Sequence, residues 1–179
     1  MEKAGILPRP FPDLQLTDQN GNPFSIRDRP SYTLVNFVYL DCPFVCHKVN
    51  NQLEEIYHHV QPLLPKGQLR FLTVSFDMEN DRIGKIEKYR NFFGDDIDDW
   101  TFALPRETTE NELQAFLKEI GIWIHENPLT GRTDHSVHIF LISPEQQITR
   151  IFDPAREDPY LMAEEIVQCI GPFHIVQVQ

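Results

Sequence analysis

The run TLVNFVYL, from Thr33 to Leu40, constrains the fold more than any other feature of the chain. It is almost uninterruptedly apolar, as a central strand covered on both faces is, whereas a strand with one wet face alternates. A helical period follows. From Lys48 onward, Val49, Leu53, Ile56, Tyr57 and Val60 share one helical face, and Pro62 and Pro65 stop it. The pairing then repeats. LRFLTVSF, from Leu69 to Phe76, reads as a second buried strand, and Ile83, Ile86, Tyr89 and Phe93 mark a helix closed by Gly94. WTFALP, from Trp100 to Pro105, is a short strand. Thr109 and Glu112 suit a capping box ahead of Leu113, Phe116, Leu117 and Ile120, with Gly121 as the stop.

Two hairpins bracket these units. Leu14 and Leu16 alternate with polar residues, Asn20-Gly21 signals a turn, and Phe24 and Ile26 alternate again. Near the other end SVHIFLI (Ser136 to Ile142) and QITRIF (Gln147 to Phe152) flank SPEQ, and a last helix is predicted from about Pro159 to Ile170. Strands alternating with helices give an α/β class with a central mixed sheet flanked by helices. The closing antiparallel hairpin and helix are thioredoxin-like, here with an N-terminal β-hairpin and an extra helical insertion. The 179 residues suit a single domain over 1–179, since ~150 residues per domain is usual. Residues 1–10 are expected to be a flexible segment and 172–179 a C-terminal tail.

The net charge of -11 argues against nucleic acid or an anionic membrane as partner, because both select basic patches. No run approaches the ~20 apolar residues of a membrane-spanning helix. MEKAGILPRPFPDL is broken by Pro8, Pro10 and Pro12 and lacks the apolar core of a signal peptide. No membrane insertion by this chain is therefore expected. Three cysteines are too few for a disulfide-stapled scaffold.

Two of those cysteines, Cys42 and Cys46, lie where the first central strand ends and its helix begins. Open α/β sheets bind ligands beyond the carboxyl ends of their strands. Residues four apart on a helix share a face, so the two sulfurs can converge. Pro43 suits the first helical position, and unpaired N–H groups there favour a thiolate, so both thiols are expected to ionise readily. Four readings of the pair compete: buried packing, a haem anchor with His47, a redox dithiol and a soft-metal site. A haem anchor has two intervening residues rather than three. The usual redox spacing is also two.

The chain resembles the Sco/SenC family of thioredoxin-fold copper proteins, which support assembly of the copper centre of cytochrome oxidase. The likeness rests on LQLTDQNGNPFSI, LVNFVYLDCPFVC, LTVSFDMENDR and DHSVHIFLISPE, spanning about Asp13 to Pro154. It implies a copper-binding metallochaperone rather than an enzyme, with Cys42, Cys46 and His135 as metal ligands for Cu(I) and Cu(II). Two thiolates and one imidazole make a soft set suited to Cu(I). The implied partners are a copper-receiving protein, such as a cytochrome oxidase subunit, and a copper donor. The implied location is periplasmic or membrane-anchored outside the cytoplasm, with the anchor or signal absent from this chain. The family usually has proline directly after its second cysteine, where this chain has His47.

Around the site, Asp77, Asp134 and His47 are candidate second-layer residues: Asp77 as a partner-facing or turn-capping carboxylate, Asp134 as an orienting partner of His135, and His47 as a fourth ligand, a gate or a first-turn helix residue. His58 and His59 are expected on the surface, Cys169 in the packing of the last helix beside Ile166 and Ile170, and His138 inside a strand on the same face as Phe140 and Ile142. The alternative function is a thiol–disulfide oxidoreductase using Cys42 and Cys46 on a partner's cysteines. Against it, no proline lies between Arg132 and Ser143, where such enzymes place a cis-proline, and His135 occupies that region. A peroxiredoxin is disfavoured because Tyr39 and Val35 stand where its threonine and proline belong.

Overall fold

The computed structural model describes residues 6–42, 45–131 and 133–171. In chain order these form β1 (Arg9–Pro10), β2 (Gln15–Asp18), β3 (Pro23–Ser25), β4 (Tyr32–Val38), α1 (Val45–Val60), β5 (Leu69–Ser75), α2 (Ile83–Asn91) and β6 (Trp100–Pro105). They continue with α3 (Glu110–Ile120), β7 (Ile124–Glu126), β8 (Thr133–His135), β9 (Ile139–Ile142), β10 (Gln147–Phe152) and α4 (Pro159–Ile170). Eight strands make one mixed sheet in the order β1-β10-β9-β4-β5-β6-β2-β3. β4, β5 and β6 are parallel neighbours, β9 pairs antiparallel with β4, and β10 pairs antiparallel with β9. This is the thioredoxin-like arrangement, with the β2–β3 hairpin added beyond β6.

The apolar runs are central because both of their faces are covered. Along β4, Leu34 and Val38 face the layer of α1 and α4, while Val35 and Phe37 face α3 and the N-terminal segment. Burying each such side chain contributes about 1.5–3 kcal/mol relative to leaving it wet. α3 carries the anticipated capping box: Thr109 Oγ1 accepts from the Glu112 amide at 3.2 Å, and the Glu112 carboxylate accepts from the Thr109 amide at 2.7 Å. Its capping residue, Gly121, has φ 93°, a left-handed geometry that glycine adopts without a Cβ penalty.

Four expectations change. Residues 124–126 and 133–135 are not loop: they pair as a separate ribbon, with Ile124 opposite His135. Consequently β9 starts only at Ile139, and His138 precedes it, part-buried against the Phe140 ring, where burial lowers its pKa. The N-terminal segment is tied down from Arg9, since β1 pairs with β10 and Phe11 is wholly buried. Cys169 is exposed, not packed. It lies next to Ile170 on α4, and neighbours on a helix point about 100° apart, so burial of Ile166 and Ile170 turns Cys169 outward. Residues 1–5 and the expected tail at 172–179 lie outside the described residues.

Candidate metal centre

β4 leads the chain through Tyr39 and Leu40 to Cys42, and the first turn of α1 carries Cys46. Both cysteines are buried and unlinked. The Cys46 amide donates to Cys42 Sγ at 3.4 Å, as the open N–H groups of a helix start do. His135, at the end of β8, closes the group from across: its Nε2 lies 3.3 Å from Cys46 Sγ. The ligand atoms of Cys42, Cys46 and His135 all fall within 4.8 Å of one another, so one ion can touch all three.

The histidine is oriented by its other nitrogen. Nδ1 lies 3.0 Å from the Ser136 carbonyl oxygen, which only accepts, so Nδ1 carries the proton. Nε2 therefore turns a lone pair toward the sulfur, the arrangement a metal-binding imidazole needs. Asp134 is exposed and is not the orienting group. The edges of Tyr39 and Phe76 pack on the imidazole, with ring centroids 5.5 and 5.1 Å away. The Tyr39 hydroxyl donates to the Thr133 carbonyl at 3.0 Å and so ties β8 to the end of β4. Burial and the neighbouring Cys42 push the Tyr39 phenol up to about 12, which keeps it a donor.

The Cys46 thiol is pushed up, first by its hydrogen bond with Cys42 and then by burial, with Cys42 and Asp81 adding in the same sense. The expectation that both thiols ionise readily is thus corrected for Cys46. A helix N-terminus favours a thiolate, but here a second sulfur and a dry setting outweigh it. A cation entering the group reverses that balance, because its charge compensates the thiolates.

Asp77 caps its turn, its Oδ1 accepting from the Asn80 amide at 3.1 Å. It also lines an acidic groove of about 570 Å³ beside the centre, with Tyr39, Asp41, Phe76, Glu79 and Glu126. His47 points away from the sulfurs: its Nδ1 lies 3.1 Å from the Tyr89 hydroxyl. His58 is exposed, whereas His59 is part-buried, with Nε2 2.7 Å from Glu164 on α4.

The residue that sequence reasoning missed is Asp81, whose side chain is fully buried. Its carboxylate accepts from the Leu40 amide at 3.0 Å and from Ser75 Oγ, and it pairs with Lys85 Nζ at 2.7 Å. Lys85 also reaches Asp41 at 2.9 Å. One buried carboxylate thus pins the backbone two residues before Cys42. In the sequence it is one of several acids in DMENDR, and nothing in periodicity separates it from its exposed neighbours.

A family model described as SCO1/SenC matches residues 8–171. No curated protein matches the chain. Among solved structures, the fold is shared with a SCO1/SenC family lipoprotein from Bacillus anthracis str. Ames, at 17% identity and TM-score 0.77, over 92% of this chain and 96% of that one. It is shared with ScoI of Bradyrhizobium japonicum with copper bound, at 19% identity and TM-score 0.72, over 89% and 99%. It is also shared with BsSco, a member of the Sco family of cytochrome c oxidase assembly proteins in which a disulfide switch was identified, at 16% identity and TM-score 0.74, over 99% and 100%. At these identities the likeness carries the fold alone.

Proposed function

Since the chain belongs to the SCO1/SenC family, we propose that it is a copper metallochaperone in which Cys42, Cys46 and His135 hold one copper ion for transfer to a cuproprotein such as a cytochrome oxidase subunit. The observation that carries this reading is the convergence of two sulfurs and an imidazole lone pair within 4.8 Å. Two thiolates and one imidazole suit Cu(I), and Cu(II) is held when a further donor completes a tetragonal set. Loading releases the thiol protons, and the raised Cys46 thiol makes binding pH-dependent. The acidic groove beside His135 gives a receiving protein with basic groups a favourable approach. The copper-bound ScoI and the lipoprotein among the fold neighbours support the cargo and a location outside the cytoplasm. Among the described residues no helix is long and apolar enough to cross a membrane.

A second reading is favoured by one observation: the two cysteines are adjacent and not joined in a disulfide. In that reading Cys42 and Cys46 give up two electrons and two protons to a partner's disulfide, forming one here and leaving two thiols there. Anaerobic titration of the reduced protein with Cu(I) against a chromophoric chelator separates the two. One copper per chain is expected, and a ratio near zero sinks the copper reading and promotes the redox one.

A further inference from the structure

A line of polar side chains crosses the otherwise apolar layer between the sheet and α1. Trp100 Nε1 donates to Thr73 Oγ1 at 3.0 Å, Thr73 Oγ1 to Asn36 Oδ1 at 2.7 Å, and Asn36 Nδ2 to Asn50 Oδ1 at 2.8 Å. Asn50 Nδ2 then donates to the Tyr89 hydroxyl at 2.7 Å, and that hydroxyl meets His47 Nδ1 at 3.1 Å. Trp100, Thr73, Asn36, Asn50 and Tyr89 are all buried, and the line surfaces only at His47, the neighbour of Cys46.

The direction of the line is fixed at its inner end. An indole N–H can only donate. Thr73 therefore accepts from Trp100 and spends its own proton on Asn36, which sets both amides. Reversing the amides would leave the Thr73 hydroxyl proton with no acceptor in a buried setting, which is costly. The Tyr89 hydroxyl, accepting from Asn50, must hand its proton outward to His47 Nδ1. Nδ1 is then occupied as an acceptor and Nε2 carries the imidazole proton. Neither nitrogen of His47 offers a lone pair to a metal ion while Tyr89 holds it.

We propose that Tyr89 is a positioning residue that withholds His47 from copper, so that the protein keeps a second imidazole in reserve beside Cys46, released when the Tyr89–His47 contact breaks. The proposal rests on the copper reading above. A released imidazole adds a nitrogen donor next to a sulfur ligand, and Cu(II) in particular takes up such a donor in tetragonal geometry. Breaking the contact is a local event: it needs one hydrogen bond at the surface end of the line to open, with the four buried bonds behind it intact.

The test is Tyr89→Phe in the full chain, which removes one oxygen atom. With Cu(II) loaded, the electron paramagnetic resonance spectrum is expected to gain the coupling of a second nitrogen. Cu(I) affinity should rise, by about tenfold if the added donor counts for as much as the support of an existing ligand does. Tyr89→Phe/His47→Ala should return both readouts to the wild-type values. A Tyr89→Phe spectrum identical to wild type, or a changed spectrum that survives in the double variant, overturns the latch while leaving the copper reading intact. Absence of copper from the wild-type protein overturns both. Should Tyr89→Phe not fold, imidazole nitrogen NMR of the metal-free wild-type protein decides: a neutral His47 protonated at Nε2 is expected, and protonation at Nδ1 overturns the proposal.

Discussion

Asp81→Asn tests how the Cys42–Cys46–His135 group is held. The carboxylate takes three donors: the Leu40 amide, Ser75 Oγ and the Lys85 ammonium. Asparagine keeps one oxygen, replaces the other with a donor, and removes the charge facing Lys85. Breaking a buried ion pair costs about 3–5 kcal/mol. Two features lower that figure. Lys85 is one-third exposed, and it keeps Asp41 at 2.9 Å. The loss is therefore nearer that of one or two hydrogen bonds to a charged group, about 2–3 kcal/mol. For a chain of this size that lowers Tm by about 4–12 °C. Urea and thermal unfolding of the reduced, metal-free protein measure it, with Asp41→Asn as control. Asp41 is two-thirds exposed, so its loss should be under about 1 kcal/mol. Because Asp81 pins Leu40, Cu(I) affinity should also fall by about tenfold or more. A stability loss no greater than that of Asp41→Asn would refute the assignment of Asp81 as the anchor of the cysteine loop.

Other outcomes follow from the same geometry. The Cys46 thiol is raised in the folded protein, so its contribution to stability is complete below the unfolded thiol value near pH 9 and is lost as pH rises above it. In chemical denaturation metal-free wild-type protein should lose stability between pH 9 and 10 faster than Cys46→Ala, in which the raised tyrosines Tyr39 and Tyr89 still weaken the fold at higher pH, and parallel curves for the two would contradict this. Cys169→Ala should leave copper stoichiometry and Tm unchanged within ordinary surface scatter of about 0.5 kcal/mol, because the residue is exposed. Oxidation that joins Cys42 to Cys46 should lower Cu(I) affinity by orders of magnitude and reduction should restore it, as counted by thiol mass spectrometry. His47→Ala with Tyr89 intact should leave the Cu(II) absorption spectrum nearly unchanged, since His47 is turned to Tyr89.

Much of this architecture is legible in the sequence because burial writes it there. The central strands are apolar on both faces, the helices are periodic, and α3 announces both ends through Thr109, Glu112 and Gly121. The sulfur half of the centre is equally plain, since a strand end followed by two cysteines four apart fixes their side of the sheet. What the sequence does not show depends on pairing at a distance. The β7–β8 ribbon is only three residues a side and is mostly polar, so it carries no period, yet it delivers His135. Asp81 looks like its exposed neighbours until its depth is known. The orienting partner of His135 is a backbone carbonyl, which no side-chain pattern encodes, while the acidic Asp134 beside it is exposed. Ionisation of Cys46 failed as a local argument because the second sulfur and the depth of burial enter only with the fold.

The most direct test of the account is copper K-edge X-ray absorption on the reduced, Cu(I)-loaded protein, compared with His135→Ala. Two sulfur neighbours and one nitrogen are expected in the wild type, and loss of the nitrogen with both sulfurs retained in the variant. A sulfur-only shell in the wild type, or a nitrogen that survives removal of His135, would contradict the three-residue centre.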